Sequence, residues 1–349
     1  MTMRDRILAV VRGQEVDRVP FVMYEGLLPL AEVDNHLGSD RIGLMRWSAV
    51  HKVRHRLCSL ESKDFKKNGT HCRRNTIHTP VGSIYEERAF ETAYGSSSIR
   101  KHFVENPDEY EVLWAFLEDQ SVEPDFERFG RDVDELGDRG VPLVAIERSP
   151  YQQLWVQWAG IEAIGYHFAD CPKKVERTVE ILEDRARCIF DIAVDSSAEF
   201  IDFPDNITAP TIGPVRFRKY CVPLYRELAE RLSVDGRRVF VHMDGDLKAL
   251  WDEIGASGVG GLDSFSPAPD NDTTIEDVIR LWPEMRIFMN FPSSVHLRSR
   301  REIMAETRRI LGVAAPSGRL QIQLSENVPL GVWRTSLPAI ADAIDEHYS

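Results

Sequence analysis

After residue 140 the sequence alternates strand-like and helix-like segments, and this repeat constrains the fold more than any other feature. The segments predicted as strands are 142–146, 199–203, 239–241, 260–265, 286–289 and 320–324. Strands that alternate with helices form parallel sheets with right-handed crossovers. Together with the N-terminal strand predicted over 21–24, their number fits a single closed (β/α)8 barrel of the TIM type.

An open, doubly wound α/β sheet is the alternative to the barrel. Such a sheet needs polar residues only at its switch point, whereas here every predicted strand from residue 142 onward ends in polar or ionisable residues. No Gly-x-Gly-x-x-Gly follows a predicted strand, which also disfavours a dinucleotide-binding sheet. The barrel is therefore the preferred fold.

The N-terminal third is less regular. Segment 27–80 has weak periodicity and mixed charge, and we expect helices around a loop-rich insertion there. Residues 81–90 predict a hairpin strand, and 106–117 predict a helix with a proline in its first turn. We therefore predict one domain over residues 1–349, with N-terminal helical embellishments that fall partly within 27–120.

Composition excludes several classes of protein. The formal net charge of −13 argues against a nucleic-acid-binding surface. The N-terminus has no apolar signal-peptide core, and no stretch approaches the roughly 20 apolar residues of a membrane span. The five cysteines include no Cys-x-x-Cys pair, so neither a disulfide framework nor a cysteine zinc site is indicated. We expect a cytoplasmic protein without a membrane partner, and a homodimer as the common default.

Polar residues end the predicted strands, and the carboxyl ends of barrel strands meet at one mouth. The residues expected there are Glu25, Glu147, Asp202, Asp205, His242, Asp244, Asp263, Asn290, Ser325 and Glu326. Carboxylates that lie together raise one another's pKa values unless a cation compensates them. The sequence therefore predicts a metal ion or a cationic substrate at this mouth.

The alternative is that the carboxylates have purely structural partners. Arg148, Arg216 and Arg218 could pair with them. Others could cap helices, as we expect Asp246 to do for the helix predicted over 247–254. Composition does not choose between these two interpretations.

His242 and Asp244 lie two residues apart, so they share one side of a strand end. With Glu326 they supply one nitrogen and two oxygen ligands, a set suited to Zn²⁺, Mn²⁺ or Fe²⁺ and less to Ni²⁺. We predict a divalent metal site, with zinc favoured, whose three ligands approach one ion to about 2.0–2.2 Å. The predicted catalytic residues are Asp202, Asp205, His242 and Glu147. The predicted substrate-binding residues are Glu25, Asp263, Asn290 and Ser325.

Four stretches carry a likeness to a known family. They are RILAVVRGQEVDRVP at 6–20, the polar strand end near Asp202, the His242 strand with Leu-Asp-Ser at 262–264, and the Asn290 strand. On these residues the chain resembles the uroporphyrinogen decarboxylase superfamily nearly end to end. The resemblance implies a barrel and one of two activities. These are porphyrinogen decarboxylation without a cofactor, or zinc- and corrinoid-linked methyl transfer from methanol, methylamines, methoxylated aromatics or thiols.

Two departures from the family pattern bear on the substrate. The decarboxylases of this superfamily carry an Arg-Gln-Ala-Gly-Arg clamp where this chain has MYEGL at 23–27. That argues against a porphyrin, because arginines hold its acetate and propionate groups. The methyltransferases carry His-x-Cys on the strand matching His242 and a second Cys on the last strand, where this chain has Asp244 and Ser325-Glu326. Carboxylates in place of thiolates favour activation of an oxygen group or water.

We therefore predict an enzyme that carries out metal-assisted group transfer on a small oxygenated substrate, chiefly methyltransferase or demethylase chemistry, with a corrinoid protein as a candidate partner. A decarboxylase or related lyase is the alternative within enzymes. A non-catalytic small-molecule-binding barrel is the third interpretation, because a fold alone does not establish turnover.

Overall fold

The computed structural model describes residues 1–91, 96–329 and 331–349. The chain divides into two compact units. The barrel unit comprises Met1–Val50, Asp125–Ile146 and Ser196–Ser349, and the sheet unit comprises His51–Pro124 and Glu147–Asp195. Across these described ranges, none of the helices combines the length and the apolar character that a membrane crossing requires.

The strands of the described residues are, in chain order, β1 Phe21–Tyr24, β2 Gly43–Ser48, β3 His51–His55, β4 Ser59–Lys67, β5 Thr70–Thr79, β6 Gly82–Glu91, β7 Ser96–Lys101, β8 Gln120–Pro124, β9 Gly140–Ala145, β10 Phe200–Phe203, β11 Arg238–His242, β12 Gly261–Phe265, β13 Arg286–Asn290 and β14 Leu320–Leu324.

The helices of the same residues are α1 Met3–Arg12, α2 Leu30–Leu37, α3 Tyr110–Glu118, α4 Phe126–Leu136, α5 Pro150–Gln153, α6 Ile161–Asp170, α7 Pro172–Asp195, α8 Ala209–Tyr220, α9 Val222–Ser233, α10 Trp251–Gly255, α11 Ile275–Leu281, α12 Arg300–Ala314 and α13 Trp333–His347.

Eight of these strands close into a parallel barrel in the order β1, β2, β9, β10, β11, β12, β13, β14 and back to β1. The predicted (β/α)8 barrel is confirmed. Side chains alternate between the lumen and the outer face along each strand, and Phe200, Phe240 and Phe288 fill the lower lumen with ring centroids 4.6–5.7 Å apart. This aromatic layer lies directly below the polar ends of the strands, and we call it the aromatic floor.

Helix α1 closes the barrel at the end opposite those polar strand ends. Its apolar face, including Ile7 and Val10, joins the same buried cluster as the lumen phenylalanines. The helix ends at Gly13, which adopts the left-handed conformation with φ of 72°. A Cβ at Gly13 would lie 2.1 Å from the guanidinium of Arg286, so the flexible end of that side chain would have to shift. The left-handed conformation is therefore the main reason for a glycine at this position.

The sheet unit combines antiparallel strands with the helices α3, α5, α6 and α7. Strands β3 and β8 pair antiparallel, β4 to β7 form a four-stranded antiparallel sheet, and α3 packs against β5 and β6. The helices predicted for 27–80 are therefore wrong, except for α2, while the hairpin strand at 81–90 and the helix near 106–117 are confirmed. Strand β4 is exposed along nearly its whole length, so it lacks the period-two burial that identifies a strand in sequence. The single-domain boundary remains a prediction.

Candidate functional site

The candidate site begins at the end of β11. Val239, Phe240 and Val241 are buried because their apolar side chains fill the barrel wall and lumen, and the strand then ends at His242. His242 lies two residues beyond Phe240 and so faces the same lumen. The register pairs His242 with Asp263 on β12, and this pairing brings an imidazole and a carboxylate side by side above the aromatic floor.

Asp263 is fully buried and accepts three hydrogen bonds. Its Oδ2 accepts from Nδ1 of His242 at 3.0 Å and from the hydroxyl of Tyr24, and its Oδ1 accepts from Nε2 of Gln323 at 3.1 Å. Tyr24 ends β1, and Gln323 lies on β14, which pairs with β1. Four neighbouring or facing strands therefore fix one side of the His242 ring.

The other side of the ring faces two further carboxylates. Nε2 of His242 lies 3.8 Å from Oδ2 of Asp244 and 3.8 Å from Oε1 of Glu326. The three ligand atoms all lie within 4.8 Å of one another, which identifies these residues as a group that could hold a metal ion. We call His242, Asp244 and Glu326 the histidine cluster.

Two residues with unusual backbone conformation support the carboxylates of the histidine cluster. Asn206 has φ of 54° and donates from Nδ2 to Oδ2 of Asp244 at 3.0 Å. Ser264 has φ of 53°, and its hydroxyl donates to Oε1 of Glu326 at 3.4 Å. Left-handed backbone at residues other than glycine is costly and concentrates at functional sites. At these two positions the backbone directs the side chains of Asn206 and Ser264 toward the carboxylates of the cluster.

The charges of the histidine cluster are strongly coupled. Burial disfavours the charged imidazole, but the carboxylates of Asp244, Asp263 and Glu326 outweigh it and raise the pKa of His242 well above its ordinary value. Burial likewise opposes ionisation of Asp244, yet the neighbouring His242 keeps the pKa of Asp244 below its ordinary value. The cluster thus favours a positive charge at the imidazole, which a proton or a metal ion at Nε2 can supply.

A second hydrogen-bonded group lies beside the histidine cluster on β13 and β14. Ser325 donates to Oδ1 of Asn290 through both its backbone N–H, at 3.1 Å, and its hydroxyl, at 3.2 Å. The hydroxyls of Ser325 and Ser264 are 2.6 Å apart, and Nδ2 of Asn290 donates to Ser266. The structure therefore brings the predicted substrate-binding residues Asn290, Ser325 and Asp263 next to the predicted metal ligands.

The predicted catalytic aspartates are both fully buried in the barrel unit. Asp202 lies on β10 in register with Phe240, so it occupies the lumen one strand away from β11. It is among the groups that raise the pKa of Tyr24, after burial and Asp263. Asp205 instead accepts a hydrogen bond from the hydroxyl of the buried Tyr225 on α9. It therefore anchors the loop that carries Asn206.

Two predicted site residues have ionic partners elsewhere. Glu25 pairs with Arg46 in the barrel unit, and Arg46 also reaches Asp132 and Glu135. Glu147 belongs to the sheet unit, where it pairs with Arg185. The roles proposed for Glu25 and Glu147 rest on sequence position alone.

The structural alternative for the acidic mouth holds for Glu25 and Glu147, which pair with Arg46 and Arg185. Arg218 pairs with Glu253 and not with a residue of the histidine cluster. The predicted capping role of Asp246 is wrong, because Asp246 accepts from the backbone of Asp272, and Asp272 accepts from the first amides of the following turn. The reason is that the loop after β12 folds back and places a second aspartate closer to those amides.

A cavity of about 570 Å³ opens beside the histidine cluster. Asp244 and Glu326 form part of its wall, and the remaining lining residues are Ser266, Pro269, Asp270, Asn271, Ser293 and Ser294. Among the described residues that line it there is no lysine or arginine. The cavity therefore offers hydroxyl, amide and carboxylate groups to a ligand but no side-chain cation.

The family of the chain follows from sequence comparison. A family model described as uroporphyrinogen decarboxylase (URO-D) matches residues 92–347. The chain belongs to this family. The resemblance seen in the sequence is thereby confirmed. The URO-D match includes β11, β12, β13 and β14, and the histidine cluster lies on or just after β11 and β14. No curated protein sequence matches the chain significantly.

Solved structures with the same fold share little sequence with this URO-D family member. A methyltransferase from Methanosarcina mazei aligns over 100% of both chains at 12% identity with a TM-score of 0.61. A B12-independent methionine synthase from Shewanella sp. W3-18-1, in complex with selenomethionine, aligns over 74% of both chains at 12% identity with a TM-score of 0.43. At these identities the first likeness shows the fold alone.

The donor set of this URO-D family member fits a divalent ion. One imidazole nitrogen and two carboxylate oxygens are ligands that zinc, manganese and ferrous iron accept, and they leave positions open. Nδ1 of His242 is already engaged by Asp263, so Nε2 is the nitrogen that faces Asp244 and Glu326. The residues present therefore match the requirements of a metal site.

Sequence reasoning missed several residues of the site. Tyr24 ends a strand that was predicted, so its lumen position could have been found by counting two residues back to Val22 in the core. Trp47 could not have been found in this way, because it lies on β2, which was not predicted. Trp47 is 37% exposed, and its ring centroid lies 6.3 Å from that of His242. Asn206 and Gln323 carry no signal that distinguishes them from ordinary polar residues.

Proposed function

We propose that this URO-D family member carries out metal-assisted group transfer on a small oxygenated substrate, chiefly methyl transfer or demethylation. The observation that carries the proposal is the convergence of Nε2 of His242 with carboxylate oxygens of Asp244 and Glu326 within 4.8 Å. The two carboxylates beside the buried imidazole repel each other, and a proton or a metal ion at the imidazole compensates their charge. We therefore assign these three side chains as ligands of a divalent ion, with zinc favoured.

Each residue has a distinct task in this proposal. The three ligands would hold the ion, which supplies Lewis-acid polarisation of a substrate oxygen or water. Asp202, fully buried in the lumen near the cluster, is the candidate to accept or donate a proton. Asn290 and Ser325 are held to each other by hydrogen bonds, and in this position they would orient the substrate.

The cavity beside the cluster supports a substrate that is not a polycarboxylate. Porphyrin carboxylates require arginine or lysine partners, and the described lining of the cavity has neither. A neutral, oxygen-bearing molecule suits its hydroxyl and amide groups better. Decarboxylase or lyase chemistry on a different small acid, held by the ion itself, is the second candidate, and the family membership favours keeping it.

The deciding experiment is elemental analysis of protein purified without chelators. We expect about one equivalent of zinc, manganese or iron per chain in the wild type, and loss of that metal in His242→Ala and in Glu326→Ala. Asp246→Asn is the matched control, because it alters a carboxylate of the same loop that bonds to Asp272 and not to the cluster. Metal-free wild type would refute the metal assignment and leave Asp202 and His242 as candidates for metal-independent acid–base catalysis.

Activity assays separate the remaining alternatives. Methyl transfer should depend on added cobalamin or a corrinoid protein, whereas decarboxylation should release carbon dioxide without either. Ligand binding without turnover across a broad panel of small oxygenated molecules would favour the non-catalytic barrel. Light scattering tests the homodimer that we expect, and fractionation of cells tests the cytoplasmic location.

A further inference from the structure

Asp263 has a position that the proposed ligand set does not explain. It is fully buried and does not belong to the histidine cluster, yet it bonds directly to the nitrogen of His242 on the far side of the ring. We propose that Asp263, held by Tyr24 and Gln323, is the positioning residue that keeps the hydrogen of His242 on Nδ1 and presents Nε2 to the metal. This inference rests on the proposed function.

The hydrogen-bond pattern sets the tautomer. An ionised carboxylate accepts hydrogen bonds and has no hydrogen to donate. Because Oδ2 of Asp263 lies 3.0 Å from Nδ1 of His242, the hydrogen between them belongs to Nδ1. The lone pair of a neutral ring is then on Nε2, the nitrogen that faces Asp244 and Glu326. A metal ion and a proton compete for Nε2 alone.

The partners of Asp263 explain why it keeps this orientation. Tyr24 donates to the same oxygen that holds His242, and Gln323 donates to the other oxygen at 3.1 Å. Gln323 in turn accepts from Gln321 at 2.9 Å. Both oxygens are thereby fixed by donors on other strands, so the carboxylate cannot rotate without breaking a buried hydrogen bond. The carboxylate of Asp263 is thus held in place on the Nδ1 side of the His242 ring.

Two substitutions separate this role from simple packing. Asp263→Asn keeps the volume but replaces one acceptor oxygen with an N–H donor, which favours a hydrogen on Nε2 and so blocks the metal position. Partners of metal-bound histidines contribute about 10- to 100-fold to metal affinity, and we expect a loss of that size. Tyr24→Phe removes one of the three donors and leaves the bond to His242, so we expect a weakening of about 3- to 10-fold.

Tyr110→Phe is the matched control. Tyr110 is a fully buried tyrosine of the sheet unit, and its hydroxyl lies 2.9 Å from Nδ1 of His167. The change removes a buried tyrosine hydroxyl, as Tyr24→Phe does, but its partner is a histidine outside the proposed metal site. The zinc affinity of Tyr110→Phe should equal that of the wild type, even if the melting temperature of this variant falls.

The test combines calorimetric titration of the metal-free full chain with Zn²⁺ and ¹⁵N-histidine NMR. We expect the titration to give the weakened zinc affinities stated above, without a matching loss of melting temperature in the metal-free variants. In the zinc-loaded wild type, we expect the NMR spectrum to show a hydrogen on Nδ1 of His242 and a ¹⁵N resonance of Nε2 that is shifted by the metal. Equal affinity of wild type and Asp263→Asn, or a metal-shifted Nδ1, overturns the inference while the metal site stands. Absence of zinc binding by wild type overturns the proposed function itself. If Asp263→Asn does not fold, Tyr24→Phe and the wild-type spectrum decide.

Discussion

Two acidic groups of the barrel unit differ in how their charge is compensated. In the arginine cluster, Glu25, Asp132 and Glu135 surround the guanidinium of Arg46, whose pKa they raise above its ordinary value, Glu25 most strongly. In the histidine cluster, Asp244 and Glu326 both face the imidazole ring of His242. A guanidinium is always charged and leaves no ligand position open, whereas an imidazole can exchange its proton for a metal. This difference supports the proposal that the arginine cluster is structural and that the histidine cluster binds a metal.

The largest expected difference between the two clusters is the response to metal. Zinc at about 1,000 times its dissociation constant should raise the free energy of unfolding of the wild type by about 4 kcal/mol. A chelator should reverse this gain, and His242→Ala should lack it. Thermal or chemical unfolding with and without zinc measures the effect. An unchanged gain in His242→Ala would place the metal elsewhere in the chain.

Two buried histidines of the barrel unit should respond to pH with opposite sign. Burial lowers the pKa of His296 to about 4, because its nearest polar partner is the neutral hydroxyl of Ser336. The unfolded chain binds this proton near pH 6.5 and the folded chain only near pH 4, so stability should fall by about 3 kcal/mol as the pH drops through that window. In His296→Gln this slope of unfolding free energy against pH should flatten.

His242 provides the contrast in the metal-free protein. Its pKa is raised in the folded state, so its contribution to stability is complete below pH 6.5 and declines as the pH rises toward the folded pKa. His242→Ala should remove that decline above pH 6.5 and leave the acidic slope of His296 in place. Identical pH profiles for the two variants would contradict the distinction.

Loss of the guanidinium should affect stability and not metal. Arg46→Met leaves three carboxylates together without their cation, and because Arg46 is 22% exposed at its side chain, water screens part of the repulsion. We expect a loss of about 1–2 kcal/mol in unfolding free energy, with zinc affinity unchanged. A loss of zinc binding in this variant would mean that the two clusters are one electrostatic unit.

The smallest expected effect concerns the support of Asp244. Asn206→Gly keeps a residue that tolerates φ of 54° and removes the hydrogen bond from Nδ2 to Asp244. We expect zinc affinity to weaken about fivefold, or about 1 kcal/mol, with little change in the stability of the metal-free chain. Titration with Zn²⁺ measures this, and an unchanged affinity would show that Asp244 needs no support from the loop after β10.

Much of the barrel could be predicted because its strands are buried on both faces. Runs such as Val239 to Val241 and Ile287 to Met289 are continuously apolar, and they are followed directly by polar residues. The strands of the sheet unit are different. Exposed strands such as β4 carry charged residues on both faces, so their sequence lacks the period that distinguishes strand from helix or loop.

The sequence by itself determined the barrel, the family and the polar residues that end its strands, because burial and chain order impose patterns on neighbouring residues. Only the tertiary structure decided which of those polar residues meet. Glu25 and Glu326 both follow barrel strands, yet one pairs with Arg46 and the other faces His242. Pairing across strands depends on register and on the side chains of distant segments, and a single sequence contains no local signal for either.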